Sequence, residues 1–374
     1  MVNVDVKTAG RQPDSAGLRR VRPALRLGPV SLVLRPVMVA IVLALAALAF
    51  ALFCVDIAVG DTHIPIGRVL DVLSGGGSRS QRYIVLDARL PRALTGLVVG
   101  AALGLAGAIT QSILHNPLAS PDMLGITTGA SLGAVSVLVA TGGATTGFAA
   151  TFGAPLAALV CGLLTAVTIY ALALGRAATG EFGATGLRLV LIGIGVNALL
   201  MAGINWMLTR GTWQDAHRAQ LWLTGSLNGA NRNQLVPAAL ALAIVALVAV
   251  GSARTLAALR LGTETTRALG VRIQTQQAIL IGASVVAASV ATAAAGPIAF
   301  VALAGPQIAR RVLRTPGEPL IGSALIGAIL VVGADAAART LFPVDLPVGI
   351  VTAGFGGPFL LYLLVRMNRK ATLS

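Results

Sequence analysis

The sequence predicts an all-α polytopic membrane protein with about ten transmembrane helices. Apolar residues make up 56% of its 374 residues and charged residues only 11%, whereas about a quarter of the residues in soluble domains are charged. Uncharged runs are long: Asp122 is the one charged side chain between residues 93 and 174, and residues 273–309 contain none. A bilayer core of about 30 Å requires about 20 apolar residues in each crossing helix. These runs therefore predict a chain that crosses a membrane repeatedly.

Three regions follow from the distribution of polar residues. Residues 1–36 are rich in arginine, contain four prolines and lack apolar periodicity, which predicts a disordered cytoplasmic tail. A cleavable signal peptide is the alternative, but the polar stretch before the first apolar run is longer than a typical n-region. Residues 37–366 form the predicted membrane domain, and residues 367–374 a short cytoplasmic tail.

Apolar runs define the helices of the membrane domain. Gly296 and Pro297 predict a break between the seventh and eighth runs, because glycine permits a turn and proline disfavours helix in the residue before it. Without that break 278–309 would be one span, so the count lies between eight and ten. An amphipathic helix is predicted at 66–73, between the first two spans. The spans are 37–57, 93–113, 124–141, 148–174, 187–208, 235–253, 278–296, 298–308, 320–338 and 346–365.

Small residues recur in the second span, where Gly96, Gly100 and Gly104 lie four residues apart. Such spacing forms a flat stripe on one helix face and lets another backbone approach closely. A nucleotide-binding loop is disfavoured, because no strand precedes these glycines and no basic residue follows them. The stripe therefore predicts helix packing.

The basic residues predict the orientation in the membrane. With ten spans and a cytoplasmic amino terminus, 19 of the 28 lie in inner segments and 9 in outer segments, and positive charge favours the cytoplasmic side. Both termini are therefore predicted to be cytoplasmic, and we call the side of the first polar segment, residues 58–92, the outer end. All nine outer basic residues are arginines. Because arginine pairs well with carboxylates, an acidic external partner is one interpretation; contact with lipid phosphates is the other.

Several kinds of chemistry lack the residues that they need. Lysine occurs only at positions 7 and 370, so the chain has no GxxxxGK[ST] loop for ATP hydrolysis. The three histidines lack metal-ligand spacing, and no metal site is predicted. Arginines in short clusters between apolar spans disfavour nucleic acid as a partner.

The source of energy is expected to be a partner protein. Transporters driven by an ion gradient usually place an acidic residue in mid-membrane, whereas Asp56, Asp122, Asp335 and Asp345 are predicted in polar turns at span ends. The longest inner loop, 254–277, is predicted to hold two short helical pieces interrupted at glycines. Its apolar residues are expected to form one face that docks a cytoplasmic subunit, with packing against the membrane domain as the alternative.

Residues 89–134, which begin RLPRALTGLVVG and include HNPLASPDMLGITTG, closely resemble the signature of FecCD-type permeases. These are the membrane subunits of ABC importers for ferric siderophores, haem and vitamin B12, and the closest likeness is to the ferric-enterobactin branch. The likeness continues through 221–229, 261–271, 296–311, 333–339 and 346–364. It implies the type II ABC importer permease fold with ten helices.

The resemblance also implies a set of partners in the bacterial cytoplasmic (inner) membrane. They are a second permease subunit, two cytoplasmic ATPase subunits that bind ATP and Mg, and an extracytoplasmic substrate-binding protein; this chain itself is expected to hold no cofactor and to be no enzyme. The expected activity is ATP-driven import of a ferric siderophore. Import of vitamin B12 or haem, and an ion-driven secondary transporter, are the alternatives. The sequence leaves open which chelate is carried and whether the two permeases are identical.

Site residues are carried over from the family at matching positions. Arg89, Arg92 and Arg339 are expected to meet the binding protein, and Asn116 and Leu118 to form a cytoplasmic gate. Gln111 and Asn197 are candidates for lining the pathway, with helix packing as the alternative. Gln307 stands where many relatives have a histidine, and glutamine does not titrate. The ATPase coupling loop is expected to use Leu259, Leu261, Gly262, Ala268, Leu269, Gly270 and Val271.

Overall fold

The computed structural model describes residues 24–27, 30–33, 35–60, 64–141, 153–176, 182–184, 186–260 and 262–371. The chain divides into two units, residues 1–41 and 42–374. In the first unit β1 (Ala24–Leu27) pairs antiparallel with β2 (Val30–Val33), with Ala24 opposite Val33. Both strands lie within the tail that is predicted to be disordered, and the valines of β2 favour extended backbone. The rest of the predicted tail, apart from residues 35 and 36, lies outside the described residues.

The described part of the chain is mainly helical. A π-helical turn (Tyr83–Arg89) leads into α4, a 3₁₀ turn (Pro121–Leu124) precedes α5, and β3 (Leu174–Arg176) pairs antiparallel with β4 (Phe182–Ala184). In chain order the helices are α1 (Pro36–Ala58), α2 (Ile66–Leu73), α3 (Arg79–Arg82), α4 (Leu90–Leu114), α5 (Ile126–Ala140), α6 (Ala154–Ala173), α7 (Gly186–Arg210), α8 (Trp213–Leu223), α9 (Arg232–Gly251), α10 (Ala253–Leu259), α11 (Thr263–Ala268), α12 (Ile273–Ala295), α13 (Val301–Val312), α14 (Leu320–Thr340) and α15 (Val348–Ala371).

Ten of these helices correspond to the predicted spans. Within the described ranges, eight helices are long and apolar enough to cross a membrane. The other two, α5 and α13, have 15 and 12 residues. The prediction of an all-α membrane protein with about ten spans is confirmed.

The predicted break after the seventh span is present. Helix α12 ends at Ala295, and Gly296 adopts a φ of 70°. A Cβ on Gly296 would lie 2.6 Å from the Trp222 carbonyl oxygen, so both the backbone conformation and the close neighbour require glycine. The chain then re-enters the helical bundle at Val301 as α13.

The amphipathic helix predicted at 66–73 is α2. Its Val69 and Val72 are buried in a cluster with Ile57 and Val85, while Leu70 is exposed. This arrangement is typical of a helix that packs one face on the protein and leaves the other toward the membrane surface.

Helix α4 lies at the centre of the membrane domain. In the segment Arg79–Leu114, 78% of the most apolar stretch is buried, against 17% for Arg188–Arg210 in α7. Its Val99 and Ile109 share the main core with Leu280 of α12 and Val331 of α14. α4 is therefore enclosed by protein, whereas α7 offers most of its surface to lipid or to another subunit.

The glycine stripe of α4 lies against α14. A Cβ on Gly100 would lie 2.4 Å from the Gly327 carbonyl oxygen, and one on Gly104 would lie 2.1 Å from the Ser323 carbonyl oxygen. At Gly96 the neighbours are side chains, with Leu227 Cδ1 3.0 Å away. The two backbones thus touch directly, which is the packing that small residues four apart allow. We call the contact of Gly100 and Gly104 with α14 the glycine seam.

We predict that Gly104→Ala destabilises the protein by about 1–3 kcal/mol, because the added methyl group forces a backbone shift in a packed interface. Thermal unfolding of the detergent-solubilised protein measures this change. The matched control is Gly282→Ala in α12, where an added Cβ would have no neighbour within 4 Å. An equal melting temperature for both variants would contradict the close contact.

Candidate functional site

Arg92 in the first turn of α4 forms a two-point ion pair with Asp335 of α14 at the outer end. Its Nε and Nη2 atoms donate to the two carboxylate oxygens, each at 2.9 Å. The side chain of Asp335 is only 1% exposed, and that of Arg92 19%. This fork geometry is the strongest form of an arginine–carboxylate pair. It joins α4 to α14 on the outer side of the glycine seam.

Arg339 extends this pair into a cluster. One turn after Asp335 on α14, it lies 3.3 Å from the Asp335 carboxylate and also pairs with the carboxylate of Asp56 in α1. It donates further to the carbonyl oxygens of Val59 at 2.9 Å and Asp56 at 3.0 Å. Two guanidinium groups thus alternate with two carboxylates, which lets the charges remain buried.

Arg89 closes the end of α1. Its Nη1 atom donates to the carbonyl oxygens of Ile57 at 2.9 Å and Ala58 at 3.1 Å, and the residue is 9% exposed. The last carbonyl groups of a helix have no partner within the helix, and a cation there is also favoured by the helix dipole. Arg89 therefore caps α1.

These contacts correct one prediction and sharpen another. Asp56 and Asp335 lie within α1 and α14 and are buried, so their predicted place in polar turns is wrong. The spacing of Asp335 and Arg339, four apart on one helix, was the sequence signal that could have revealed the pairing. Of the three arginines expected to dock a binding protein, Arg89 and Arg339 are buried and Arg92 reaches a surface cavity.

That cavity has a volume of about 380 Å³ at the outer end. Its polar lining comes from the ends of several helices and comprises Arg92, Arg218, Ser226, Asn228, Gln234 and Asp345. We call it the outer cavity. In it Arg92, one of the predicted docking arginines, meets a concave surface.

Helix α8 positions Arg218 in the outer cavity. Thr212 caps the helix, and its hydroxyl donates to Asp215 at 2.6 Å, which holds the pKa of the Asp215 carboxyl below its usual value. Arg218 lies one turn further on, with Nη2 3.5 Å from Asp215. Its side chain remains 41% exposed.

The predicted gate lies in the turn after α4 at the inner end. The Asn116 side-chain oxygen accepts from the Leu118 backbone amide at 2.9 Å, which forms an Asx turn. Asn116 is exposed and Leu118 half-buried. Nearby, burial raises the pKa of Asp122 to about 6, against a hydrogen bond with Thr127 that lowers it. Whether this turn opens and closes stays a prediction.

The two candidate lining residues both join helices. Gln111 is 2% exposed; it accepts from Gln307 at 2.7 Å and donates to the Leu303 carbonyl oxygen at 3.1 Å. Asn197 of α7 accepts from the Thr128 hydroxyl of α5. These contacts favour the packing alternative. They also give Gln307, which replaces the family's histidine, a neutral partner between α13 and α4.

The coupling loop contains the two predicted helices, α10 and α11, with Gly262 at a φ of 95° and Gly270 at 79°. The expectation of one apolar face is wrong, because Leu259 is 1% exposed whereas Leu269 is 64% exposed. Ala268 and Gly270 are exposed with Leu269, and Val271 is half-buried. Leu261 lies outside the described residues. The exposed surface of the coupling loop is thus its α11 end.

In the part of the chain that the structure describes, no group of three or more His, Cys, Asp or Glu side chains is placed to hold a metal ion.

We predict that Asp335→Asn destabilises the protein by about 3 kcal/mol or more, because losing one partner of a buried ion pair leaves the other charge uncompensated. Thermal unfolding in detergent is the measurement. Asp87→Asn, the same change at an exposed position of the outer end, is the control and is expected to melt like the parent. If Asp335→Asn also melts like the parent, the cluster does not hold α4 to α14.

Comparison with known proteins identifies similar chains. Residues 44–366 match the FecCD transport family. The chain is 38% identical over 312 residues to the ferric enterobactin transport system permease protein FepG of Escherichia coli K12, covering 83% of this chain and 91% of that protein. It is 36% identical over 325 residues to the iron(3+)-hydroxamate import system permease protein FhuG of Bacillus subtilis 168, covering 86% and 95%.

A solved structure shares the fold. It represents an inward-facing transporter assigned to the metal-chelate type of ABC transporters, and it superimposes with a TM-score of 0.74 at 23% identity. The match covers 88% of this chain and 99% of that one.

Proposed function

The chain belongs to the FecCD transport family, and on that premise we propose that it imports a ferric-siderophore complex as the permease subunit of an ATP-driven transporter. The observation that carries the proposal is the nearly full-length match to permeases for ferric enterobactin and for iron(3+)-hydroxamate. Those two names share ferric iron in an organic chelate. The chain is a membrane permease and not an enzyme.

The buried carboxylates support an external energy source. A carrier that uses a proton gradient needs a carboxyl group that can take up and release a proton. In the described residues Asp56 and Asp335 are each paired with arginine, so both carboxylates already have a partner within the chain. Energy is then supplied by two ATPase subunits that bind ATP and Mg and contact the exposed surface of the coupling loop around Leu269.

The remaining partners, a second permease subunit and the substrate-binding protein, are placed by the surfaces that the domain exposes. A second permease subunit completes the pathway, and the exposed apolar faces of α7 and α15, with Leu199 and Phe355 among them, are available for it. The substrate-binding protein docks at the outer end. The chain lies in a bacterial inner membrane with both termini on the cytoplasmic side, because the basic residues concentrate on that side.

The outer cavity is the proposed docking point for an acidic side chain of the binding protein. Arg92 and Arg218 both line it, together with Asp345, and cationic side chains in a concave surface focus their attraction for a carboxylate. Arg89 and Arg339 contribute indirectly: both bond to the end of α1, and Arg339 also contacts Asp335, the partner of Arg92. Asn116 and Leu118 retain the proposed role of inner gate.

We predict ATP-dependent uptake of a ⁵⁵Fe-loaded siderophore by proteoliposomes that contain this chain with its partner permease, ATPases and binding protein. ATPase subunits unable to hydrolyse ATP are the control and are expected to abolish uptake. Uptake driven by an ion gradient without ATPase subunits would contradict the proposal. Parallel arms with haem and vitamin B12 test the cargo, and transport of either in place of the siderophore would overturn that part.

We predict that Arg218→Glu weakens the affinity of the binding protein for the complex about tenfold or more, since an interfacial charge pair becomes a repulsion. Surface plasmon resonance at two salt concentrations measures the effect, which is expected to shrink at high salt. The control Arg68→Glu makes the same change in α2, outside the outer cavity. A loss as large for Arg68→Glu would place docking elsewhere.

A further inference from the structure

A second cluster of polar contacts lies at the inner end, around Glu318 in the turn between α13 and α14. Its carboxylate accepts from the Ser112 hydroxyl of α4 at 3.3 Å and from Arg310 Nη1 of α13 at 3.1 Å. Glu318 is 9% exposed. Between residues 273 and 334 it is the only acidic residue of the sequence. One carboxylate thus holds the inner ends of two membrane helices.

The same turn is bonded to the coupling loop. Arg260, directly after α10, donates from Nη2 to the Glu318 carbonyl oxygen at 3.2 Å. Its guanidinium fits closely over Gly317, where a Cβ would lie 2.2 Å from the Arg260 Cζ atom. Any side chain at position 317 would therefore displace Arg260.

A second contact joins α10 to the turn after α4, which holds the predicted gate. His115, directly after α4, places Nε2 3.0 Å from the Leu259 carbonyl oxygen. Its Nδ1 atom lies 3.1 Å from the Ile113 carbonyl oxygen, so both ring nitrogens face acceptors. Leu259, the last residue of α10, is thus bonded to the residue after α4, and Arg260, the next residue, is bonded to the turn before α14.

The coupling loop itself is held together as a unit. The Thr266 hydroxyl of α11 lies 2.7 Å from the Ala258 carbonyl oxygen and 2.8 Å from that of Gly262, and Thr266 is 0% exposed. Leu256 and Leu259 of α10 are buried. A displacement of the exposed α11 surface is therefore expected to move Leu259 and Arg260 with it rather than to change the contact between α10 and α11.

We propose that Glu318 is a positioning residue that makes the inner ends of α4 and α13 follow the coupling loop when the ATPase subunits move. We call Ser112, Arg260, Arg310 and Glu318 the inner junction. Motion enters at Arg260, reaches Glu318 through its backbone, and passes through its carboxylate to Ser112 and Arg310. This inference rests on the proposed function, because it needs an ATPase that acts on the loop.

The first test measures siderophore molecules imported per ATP hydrolysed by the full reconstituted complex. Glu318→Ala is expected to lower this ratio about tenfold, as the loss of two charge-assisted hydrogen bonds allows, while hydrolysis continues. Glu318→Gln, which keeps the size of the side chain, is expected to lower it less. The control Arg366→Ala removes a charged side chain that bonds to Tyr362 at the inner end of α15, and its ratio is expected to match the parent.

A charge exchange separates coupling from simple stability. Arg310→Glu alone is expected to uncouple transport, and combination with Glu318→Arg is expected to restore at least a third of the parent ratio. Melting temperature and recovery of the assembled complex are measured in parallel. Uncoupling that tracks a loss of assembly, or a pair that restores nothing, overturns the assignment.

A distance measurement tests the junction without any cargo. Spin labels replace Leu269 and Val312, both exposed, in a chain whose two cysteines are serines, and a third position, Leu341, marks the outer end. On ATP binding the 269–341 distance is expected to change while the 269–312 distance stays constant. In Glu318→Ala the 269–312 distance is expected to change too. If it changes equally with Glu318 present, the inference fails, even when uptake shows that the proposed function holds.

Discussion

The direct backbone contact between α4 and α14 is the constraint on which the rest of the membrane domain depends. The two helices run antiparallel, and the contacts keep one register along their length: Arg92 meets Asp335, Gly100 meets Gly327, and Gly104 meets Ser323. Beyond the start of α14 the series continues with Ser112 and Glu318. A glycine seam in the middle, an ion pair at the outer end and a hydrogen bond at the inner end hold the two helices in register. Dispersion forces favour the close approach, while the ion pair and the hydrogen bond, both costly to break where they are buried, prevent sliding.

This arrangement limits where the transporter can move. Because the glycine seam is bonded at both ends, we do not expect α4 and α14 to slide along it, although a glycine stripe alone would allow such sliding. Movement is more easily placed where helices are loosely held, as in α7, whose apolar stretch is 17% buried. The outer and middle parts of α4 and α14 are held together by the Arg92–Asp335 pair and the glycine seam. The inner end of α4 is bonded to the coupling loop through His115 and, by way of Glu318, through Arg260, so it is the part of α4 best placed to respond.

The fold was predictable from hydrophobic runs because the bilayer imposes length and composition on every crossing helix. The glycine seam was predictable from spacing, although its partner helix was not. The ion-pair partners were missed for a physical reason. Asp56, Asp335 and Glu318 lie near the ends of apolar runs, where a carboxylate is equally compatible with a solvated turn and with a buried pair. Two of the pairings join residues that are distant in sequence, by 243 residues for Arg92 and Asp335 and by 283 for Arg339 and Asp56, so these pairings are decided by tertiary packing. The prediction of a single apolar face on the coupling loop was also wrong, since Leu259 at the end of α10 is buried whereas Leu269, directly after α11, is exposed.

The same pairing changes the meaning of the positive charge at the outer end. The nine outer arginines suggested a surface for an acidic partner, with lipid phosphates as the alternative. Arg89 and Arg339 instead satisfy backbone carbonyls and carboxylates within the chain, so their charge is largely neutralised before any partner arrives. An external acidic group therefore experiences the field of fewer arginines, concentrated where Arg92 and Arg218 line the outer cavity. Arg92 is also bonded to Asp335, so an acidic group of the proposed partner that attracts Arg92 also acts on the ion pair between α4 and α14. Docking and the rigidity of the central helix pair are thus linked through one guanidinium group.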